Sequence, residues 1–431
     1  MIRALLLLLL LVPQDKPVEP KPEPKPEPKK EAKTLWVALV GGDVETVTKG
    51  RLKKATVLIK DGKIHRVGTE VEIPADAVTY DVTGKLVCPG FVVCSARSLG
   101  VSGFSSSPKI ADAVDPYSEA LNLALASGIT SAYVETGMGG GMFGGRTSGI
   151  SSPNAVLKMT YGDLDSMVIA EPAAVQLSQW ITGSATERYA IRESFQLVRE
   201  YLEKVKEFDA RKAAGKTAAN ENPPAAPAGK EAYVKLMKGE IIARIAASRA
   251  DEIRRALQLV NDFMFKCVLT DVDEGWTMAD EIGRSRCWCV ITPRRKVQAD
   301  KNSNQPSGWT IEQAAILKKA GVKFGITALT PQVSTGGIAG RDLMNLNLEA
   351  GFAIRGGLDE QAALEALTIT AAEMCGVDQR LGSIEAGKDA DLIVLDGGVF
   401  DYRTFVEKTF INGKLMYDKE TASIYNHLKK K

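Results

Sequence analysis

The chain has 431 residues, of which 45% are hydrophobic and 25% charged, and its formal net charge is +2. This balance is typical of a globular protein with room for about two or three domains. Because the charge is nearly neutral and interspersed along the chain, the sequence argues against a nucleic-acid partner.

The N-terminus has the pattern of an export signal. An apolar run from Ala4 to Val12 follows Arg3, and it is too short to span a bilayer, which needs about 20 residues. We therefore predict a signal peptide at 1–14, no membrane span, and an exported protein that is periplasmic or secreted. The alternative is an uncleaved segment or a wrongly chosen start, since no small-x-small cleavage triplet precedes Pro13.

Residues 15–33 alternate Pro, Lys and Glu. Such a composition cannot bury apolar surface and favours extended polyproline II. We predict that this segment is a linker between the signal and the folded part of the chain.

Both ends of the folded chain are rich in short strands and tight turns. Residues 34–87 contain β-runs joined by an Asp-Gly turn, and residues 381–417 contain a similar pair joined by Asn-Gly, both of which are strong hairpin signals. We predict that these two segments form one discontinuous β-domain. Residues 418–431 are predicted to be a basic tail.

Between these segments, residues 88–380 alternate helix and strand. A helix that begins near Asp115 stops at Gly128 and is followed by an apolar strand over 129–134, and the same plan recurs further along. Repeated units of this kind predict a parallel sheet with helices outside it, and there are enough units for a barrel. A helical and low-complexity insertion is predicted at 187–230.

The six cysteines are Cys88, Cys94, Cys267, Cys287, Cys289 and Cys375. They show no Cys-x-x-Cys spacing, so a structural zinc site is not indicated. Some of them could pair in an exported protein, but the "CWC" segment cannot easily bridge itself, because a strand holds residues i and i+2 apart. We expect most of the six to be buried free thiols.

Several motifs occur in a characteristic order: "DGKIHRVG" and "TGKLVCPGF", then "ASGITSAYV", then "LGSIEAGKDADLIVLDG" with "VEKTFINGKLMY". In this combination the sequence resembles the amidohydrolase superfamily, specifically its imidazolonepropionase-like branch, over roughly Thr34 to Tyr417. The resemblance implies a (β/α)8 TIM barrel with a β-sandwich built from both chain ends. It also implies a divalent metal, often Zn²⁺, at the carboxyl ends of the barrel strands, where it activates water for attack on a carbonyl carbon.

The positions that the resemblance assigns to metal ligands are substituted. The family's ligands are mostly His with one Asp, but this chain has only two histidines, His65 and His427, and neither is placed to reach a barrel mouth. The corresponding positions hold Ser95, Arg97, Ala246, Ser248, Asp271 and Leu329. Since a zinc site needs about three imidazole, thiolate or carboxylate ligands, we expect no catalytic residue here and no metal or other cofactor.

Three residues remain candidates for ligand binding: Arg97, Arg146 and Asp271. Arg97 carries a fixed charge and either pairs with Asp271 or points into solvent. Arg146 lies in the glycine-rich segment "GMGGGMFGGRTSG", where it could contact an anionic ligand. Ser248 opens "SRAD", a capping-box pattern that predicts a helix start rather than a catalytic role.

These substitutions predict an exported pseudoenzyme with an amidohydrolase-like fold, which binds a small molecule or a protein partner such as an active relative. The alternative is a divergent hydrolase of amide or lactam C–N bonds, with a carboxylate-bound metal around Asp271 or with no metal. A secreted structural scaffold is a third hypothesis. Homo-oligomer formation is compatible with all three.

Overall fold

The computed structural model describes residues 34–97, 99–101, 109–135, 153–216, 221–302, 304–333 and 340–423. The predicted signal peptide, the predicted linker, Arg146 and most of the predicted tail lie outside the described residues. Within the ranges that are described, no helix combines the length and the apolar character needed to cross a membrane.

Seventeen strands and ten α-helices make up the described part of the chain. The strands are β1 (Trp36–Glu45), β2 (Arg51–Lys60), β3 (Lys63–Gly68), β4 (Val78–Asp81), β5 (Leu86–Pro89), β6 (Phe91–Arg97), β7 (Ile129–Glu135), β8 (Asn154–Lys158), β9 (Val168–Ala170), β10 (Ala174–Gln176), β11 (Ile242–Ala246), β12 (Cys267–Thr270), β13 (Cys287–Ile291), β14 (Phe324–Ile326), β15 (Leu392–Leu395), β16 (Val406–Ile411) and β17 (Lys414–Asp418). The helices are α1 (Glu119–Ala126), α2 (Gln179–Thr182), α3 (Ala185–Ala213), α4 (Glu231–Lys238), α5 (Ala250–Phe263), α6 (Ala279–Arg284), α7 (Gln313–Lys319), α8 (Leu346–Arg355), α9 (Glu360–Leu367) and α10 (Ile369–Met374). Two 3-10 turns are also present, at Gly275–Met278 and Leu343–Asn345.

Strands from both ends of the chain share one eight-stranded sheet. Its order is β17-β16-β15-β5-β1-β2-β3, and β4 pairs in parallel with β1. The two chain ends meet where β5 pairs antiparallel with β15. The sheet has its own apolar core, which includes Leu39, Ile59, Leu392 and Phe410. The described strands of both ends thus form a single sheet, and the two-sheet sandwich implied by the resemblance stays a prediction.

The predicted hairpin turns in this sheet depend on backbone angles that few residues adopt. Asp61 and Gly62 have φ of 48° and 82°, and Asn412 and Gly413 have φ of 50° and 69°. Positive φ at both central residues defines the two-residue type I′ hairpin turn, whose twist matches that of the flanking strands. Asp-Gly and Asn-Gly are residue pairs that favour this turn. A Cβ atom at Gly413 would also lie only 2.7 Å from Cγ2 of Ile59, so the position favours glycine for its space as well as for its φ.

The middle of the chain forms two further sheets. β10 to β14 pair in parallel, each with the next, in a five-stranded sheet. β6 to β9 form a four-stranded sheet, in which β6 and β7 are parallel. Nearly all residues in these strands are buried, as expected when helices cover one face and side chains fill the other.

One part of this region departs from the predicted parallel order. β8 runs antiparallel to β7, and β9 runs antiparallel to β8. The connection between β8 and β9 is only residues 159–167, and so short a link without a helix suits an antiparallel pair, whereas parallel strands need a longer crossover.

Side chains connect the two middle sheets at their edges. The Thr327 hydroxyl donates to the backbone oxygen of Ser95 at 3.0 Å, beside β14 and β6. On the other side, Asn154 lies at the start of β8, an internal strand of its sheet, and its side chain accepts from the backbone of Ala173 and Ala174 and donates to the oxygen of Ala174, which begins β10. Among the described strands these edges carry no backbone ladder, so the closed parallel barrel of the prediction is not observed as a continuous sheet.

The predicted insertion begins with the long helix α3. Ser184 and Glu187 form a capping box at its start, with each side chain bonded to the other's backbone N–H. Phe195 on this helix stacks on Phe263 and Phe265, with ring centroids 4.7 and 5.0 Å apart. The amphipathic helix is therefore packed against α5 and the strand that follows it.

Candidate functional site

The positions assigned to metal ligands lie along the carboxyl ends of strands. Arg97 and Ala246 are the last residues of β6 and β11, and Asp271 directly follows β12. Ser248 and Leu329 come two and three residues after their strands, and Ser95 lies within β6. Because parallel strands end at the same edge, this edge, which we call the mouth, is the candidate site.

Asp271 at the mouth is paired with Arg295 and not with Arg97. Arg295 Nη1 donates to Asp271 Oδ1 at 2.7 Å, while its Nε and Nη2 donate to the two oxygens of Asp273 at 2.6 and 2.9 Å. The expected pair with Arg97 is therefore corrected. Arg295 lies in the loop after β13, and its guanidinium is closer to Asp271 than that of Arg97 on β6.

Arg97 itself is exposed at the end of β6. Its backbone N–H donates to the oxygen of Pro331 at 2.6 Å, which joins this strand to the loop after β14. Among the described residues its guanidinium has no carboxylate within 4.0 Å. A fixed positive charge is thus left at the rim of the mouth.

Ser248 does not cap helix α5 as the sequence predicted. The helix begins after Arg249, and its first N–H groups are served by carboxylates: Glu252 accepts from Ser248 and Arg249, and Glu274 accepts from Ala250. The Ser248 hydroxyl instead donates to Asp273 at 2.6 Å. The serine therefore contacts the ion pair between Asp273 and Arg295. The N–H groups at the start of the helix bond to Glu252 and Glu274 instead of to this serine.

One buried charge lies just below the mouth and was missed in the sequence. Arg244 on β11 is 1% exposed, and its Nη2 donates to the backbone oxygen of Cys94 at 2.7 Å. Its guanidinium carbon lies 3.9 Å from the centroid of the Tyr133 ring. Among the residues that the structure describes, Nε and Nη1 of Arg244 have no hydrogen-bond partner. The signal in the sequence was a single arginine within an apolar strand, two residues before Ala246.

Tyr133 connects this charge to two polar side chains at the mouth. Gln176 Nε2 donates to the Tyr133 hydroxyl at 2.7 Å and to Glu135 Oε2 at 2.8 Å. Burial raises the pKa of Tyr133, although the charge of Arg244 opposes the shift. Burial likewise raises the pKa of Cys94 to about 11. Both groups are therefore protonated at neutral pH and are poor nucleophiles.

These side chains do not fit the divalent metal that the resemblance implies. The carboxylate of Asp271 is held by Arg295, and Arg244 places a second fixed positive charge behind the ligand positions. Within the part of the chain that the structure describes, no group of three or more His, Cys, Asp or Glu side chains could hold a metal ion. We therefore derive no reaction step through a metal.

Asp273, more than Asp271, is expected to hold the mouth together. Its side chain is 7% exposed and bonds to both Arg295 and Ser248, whereas the side chain of Asp271 is 43% exposed. We expect Asp273→Ala to lower the free energy of unfolding by about 2–3 kcal/mol, since it removes two hydrogen bonds from a partly buried guanidinium and leaves that group only its bonds to Asp271. Asp271→Ala should cost at most about 1 kcal/mol. Urea titrations of both variants would measure the difference, and equal losses would contradict the assignment.

Comparisons with known proteins agree with this architecture. The family model described as "Amidohydrolase family" matches residues 234–416. Amidohydrolase tasK of Hapsidospora irregularis is 22% identical over 407 residues, which cover 84% of this chain but only 40% of that protein. Imidazolonepropionase of Thermoplasma volcanium is 39% identical over 67 residues, which are 14% of this chain and 16% of that one. The chain thus spans well under half the length of these curated relatives.

Solved structures extend the likeness over most of the chain. An amidohydrolase from Thermotoga maritima MSB8 is 25% identical with a TM-score of 0.64, and the match covers 89% of this chain and 100% of that one. This likeness supports a TIM-barrel-like α/β fold for the middle of the chain. Taken together with the family model, which matches fewer than half of the residues, it supports a relationship to the amidohydrolase superfamily.

Proposed function

We propose that this protein is an exported, non-catalytic member of the superfamily that uses its mouth to bind a small molecule or a protein partner. The observation that carries the proposal is Arg244. A buried charge with two nitrogens that lack hydrogen-bond partners among the described residues is costly inside a protein, and such exceptions to the usual folding rules are typical of functional sites.

The charge distribution favours an anionic ligand. Arg97 lies exposed at the rim of the mouth, and Arg244 lies beneath it in an apolar interior, where its field is weakly screened. Gln176 adds an amide that already donates to neighbouring oxygens. A carboxylate on a small molecule or on a partner protein is the chemistry that this arrangement would attract.

A second candidate function is that of a divergent hydrolase of amide or lactam bonds. The observation that favours it is Glu135, a partly exposed carboxylate at the end of β7, which could act as a general base. This route would use no metal bound at the substituted positions. It remains the runner-up because the groups beside Glu135 are a protonated tyrosine and an amide.

Elemental analysis of the purified, chelator-free protein tests the non-catalytic proposal. We expect far less than one bound transition metal ion per chain, because the Asp271 carboxylate is already paired with Arg295 and the charge of Arg244 repels cations. A screen of amide and lactam substrates, with and without added Zn²⁺, should show no hydrolysis. Asp271→Ala and Glu135→Gln are the matched variants for the two possible sites.

Two results would overturn the proposal in different ways. Stoichiometric metal and hydrolysis that are both lost in Asp271→Ala would show an enzyme with an unusual metal site. Metal-free hydrolysis that is lost only in Glu135→Gln would establish the divergent hydrolase.

A further inference from the structure

Two cysteines face each other on neighbouring strands away from the mouth. In the pairing of β12 with β13, Cys267 lies directly opposite Cys287. Neighbouring strands lie about 4.7–4.9 Å apart, and disulfides join residues whose Cα atoms are about 4.4–6.8 Å apart. A disulfide can therefore span this pair with little movement of the backbone.

The third cysteine on these strands has a different position. Cys289 lies opposite Leu269 on β12 and opposite Phe324 on β14, so no cysteine faces it across either strand. Its separation from Cys287 within one strand is also too large for a bond without distortion. The pairing of the strands therefore singles out Cys267 and Cys287.

Cys287 is the cysteine that a reagent can reach. It is 8% exposed, whereas each of the other five is 3% exposed or less. Its side chain lines a groove of about 420 Å³ whose rim carries Lys266, Arg286 and Lys323. These positive charges favour the approach of an anionic disulfide or thiol.

The two thiols have unequal reactivity. The hydrogen bond from Cys267 lowers the pKa of Cys287, and this effect outweighs burial. Burial raises the pKa of Cys267. Cys287 is thus the more readily formed thiolate and attacks first, and Cys267 acts second because it lies opposite Cys287 in the strand pairing.

We propose that Cys267 and Cys287 form a redox pair that closes to an intramolecular disulfide between β12 and β13. The oxidant is a diffusible disulfide. The Cys287 thiolate attacks it, forms a mixed disulfide and releases one thiolate. Cys267 then loses its proton, attacks the Cys287 sulfur and releases the second thiol, so that two protein thiols are oxidised and one disulfide is reduced.

The proposed bond lies at the opposite end of β12 from the mouth. Cys267 begins that strand, whereas Asp271 follows its carboxyl end. The redox pair is therefore independent of the proposed binding function. Closing it would join two strands of the five-stranded sheet and restrict their separation on unfolding.

Peptide mapping after equilibration in glutathione buffers tests the pair. The full-length protein is reduced, equilibrated at graded ratios of oxidised to reduced glutathione, alkylated under denaturing conditions and digested with trypsin. Cleavage after Lys266, Arg284, Arg286 and Arg294 separates peptide 267–284 from peptide 287–294. We expect these two peptides to appear cross-linked in oxidising buffer, with two fewer alkylated thiols per chain, and to separate again in reducing buffer.

Single variants identify the cysteines, because peptide 287–294 also contains Cys289. In Cys289→Ser the cross-link should persist, and in Cys287→Ser it should disappear. The urea midpoint should rise on oxidation in the wild type and in Cys289→Ser but not in Cys287→Ser. If Cys287→Ser does not fold, by circular dichroism, Cys267→Ala serves in its place.

Three outcomes would overturn the proposal. One is the absence of any link between the two peptides in the wild type at every glutathione ratio. Another is a link that survives in Cys287→Ser, or that is lost in Cys289→Ser, since either would assign the bond to Cys289. The last is a link that forms but cannot be reduced by glutathione, because the pair would then be a permanent structural bond.

Discussion

Lys158→Met is expected to lower the free energy of unfolding by about 3–5 kcal/mol, because it leaves the buried carboxylate of Asp391 without the cation that it pairs with and removes one of the three cations that contact Asp389. Lys158 on β8 is fully buried. Its Nζ lies 2.8 Å from Asp389 Oδ2, 3.0 Å from Asp391 Oδ1 and 2.5 Å from Asn412 Oδ1. All three acceptors belong to the C-terminal segment, so this amine connects the four-stranded sheet to the eight-stranded sheet.

Lys63→Met is the matched control for this prediction. Lys63 Nζ also bonds to Asp389, at 2.9 Å, but the lysine side chain is 58% exposed. An exposed partner contributes little, so we expect a loss of at most about 1 kcal/mol. Urea titrations at neutral pH would compare the two variants. Similar losses in both would show that the buried position of Lys158 adds nothing to its ion pairs.

The effect of Lys158→Met should also depend on pH. Burial by itself would raise the pKa of Asp389, but Lys158, Lys63 and Arg380 together lower it to about 2. A carboxyl with a lowered pKa stabilises the fold fully above its ordinary pKa of 3.8, and this contribution is lost as pH falls toward 2.

The pKa of Asp391 changes in the opposite direction to that of Asp389. Burial raises its pKa in spite of Lys158, so its charged form opposes folding and protonation relieves that cost as pH falls. As pH falls, the part of the difference between wild type and Lys158→Met that comes from Asp391 should shrink already above pH 3.8, and the part that comes from Asp389 should shrink between pH 3.8 and about 2. A difference that is constant from neutral pH to pH 3 would contradict this account of the ion cluster.

Arg244→Met is expected to leave the free energy of unfolding unchanged or to raise it by up to about 4 kcal/mol, although it removes a hydrogen bond and a contact with the Tyr133 ring. Met has a comparable volume and carries no charge. Because Nε and Nη1 of Arg244 have no hydrogen-bond partner among the described residues, only the hydrogen bond to Cys94 and the contact with the Tyr133 ring offset the cost of burying this charge.

Arg244→Ala provides the contrast, because it removes the charge and also leaves a cavity. We expect it to be less stable than Arg244→Met by about 2–5 kcal/mol. Thermal and urea unfolding of both variants would measure this. If Arg244→Met itself cost more than about 2 kcal/mol, the guanidinium would be a structural group. The support that it lends to a binding function would then be lost.

Much of the architecture could be predicted from local patterns. The Asp61-Gly62 and Asn412-Gly413 turns were correctly placed, because their positive φ values suit few other residue pairs. The apolar runs of the middle strands were also predicted, because burial on both faces requires them. The reversed direction of β8 was not predicted, since an apolar run of five residues has the same pattern in either orientation.

At the candidate site, too, some features could be predicted from the sequence and others could not. The sequence predicted that a metal site with three or more His ligands cannot form within this chain, because the chain has only two histidines. It could not determine which charges meet. Asp271 was expected to pair with Arg97, but the fold brings Arg295 to it instead, and it brings Lys158 to carboxylates more than 200 residues away. Electrostatic partners are chosen by distance and burial, which exist only once the strands are packed.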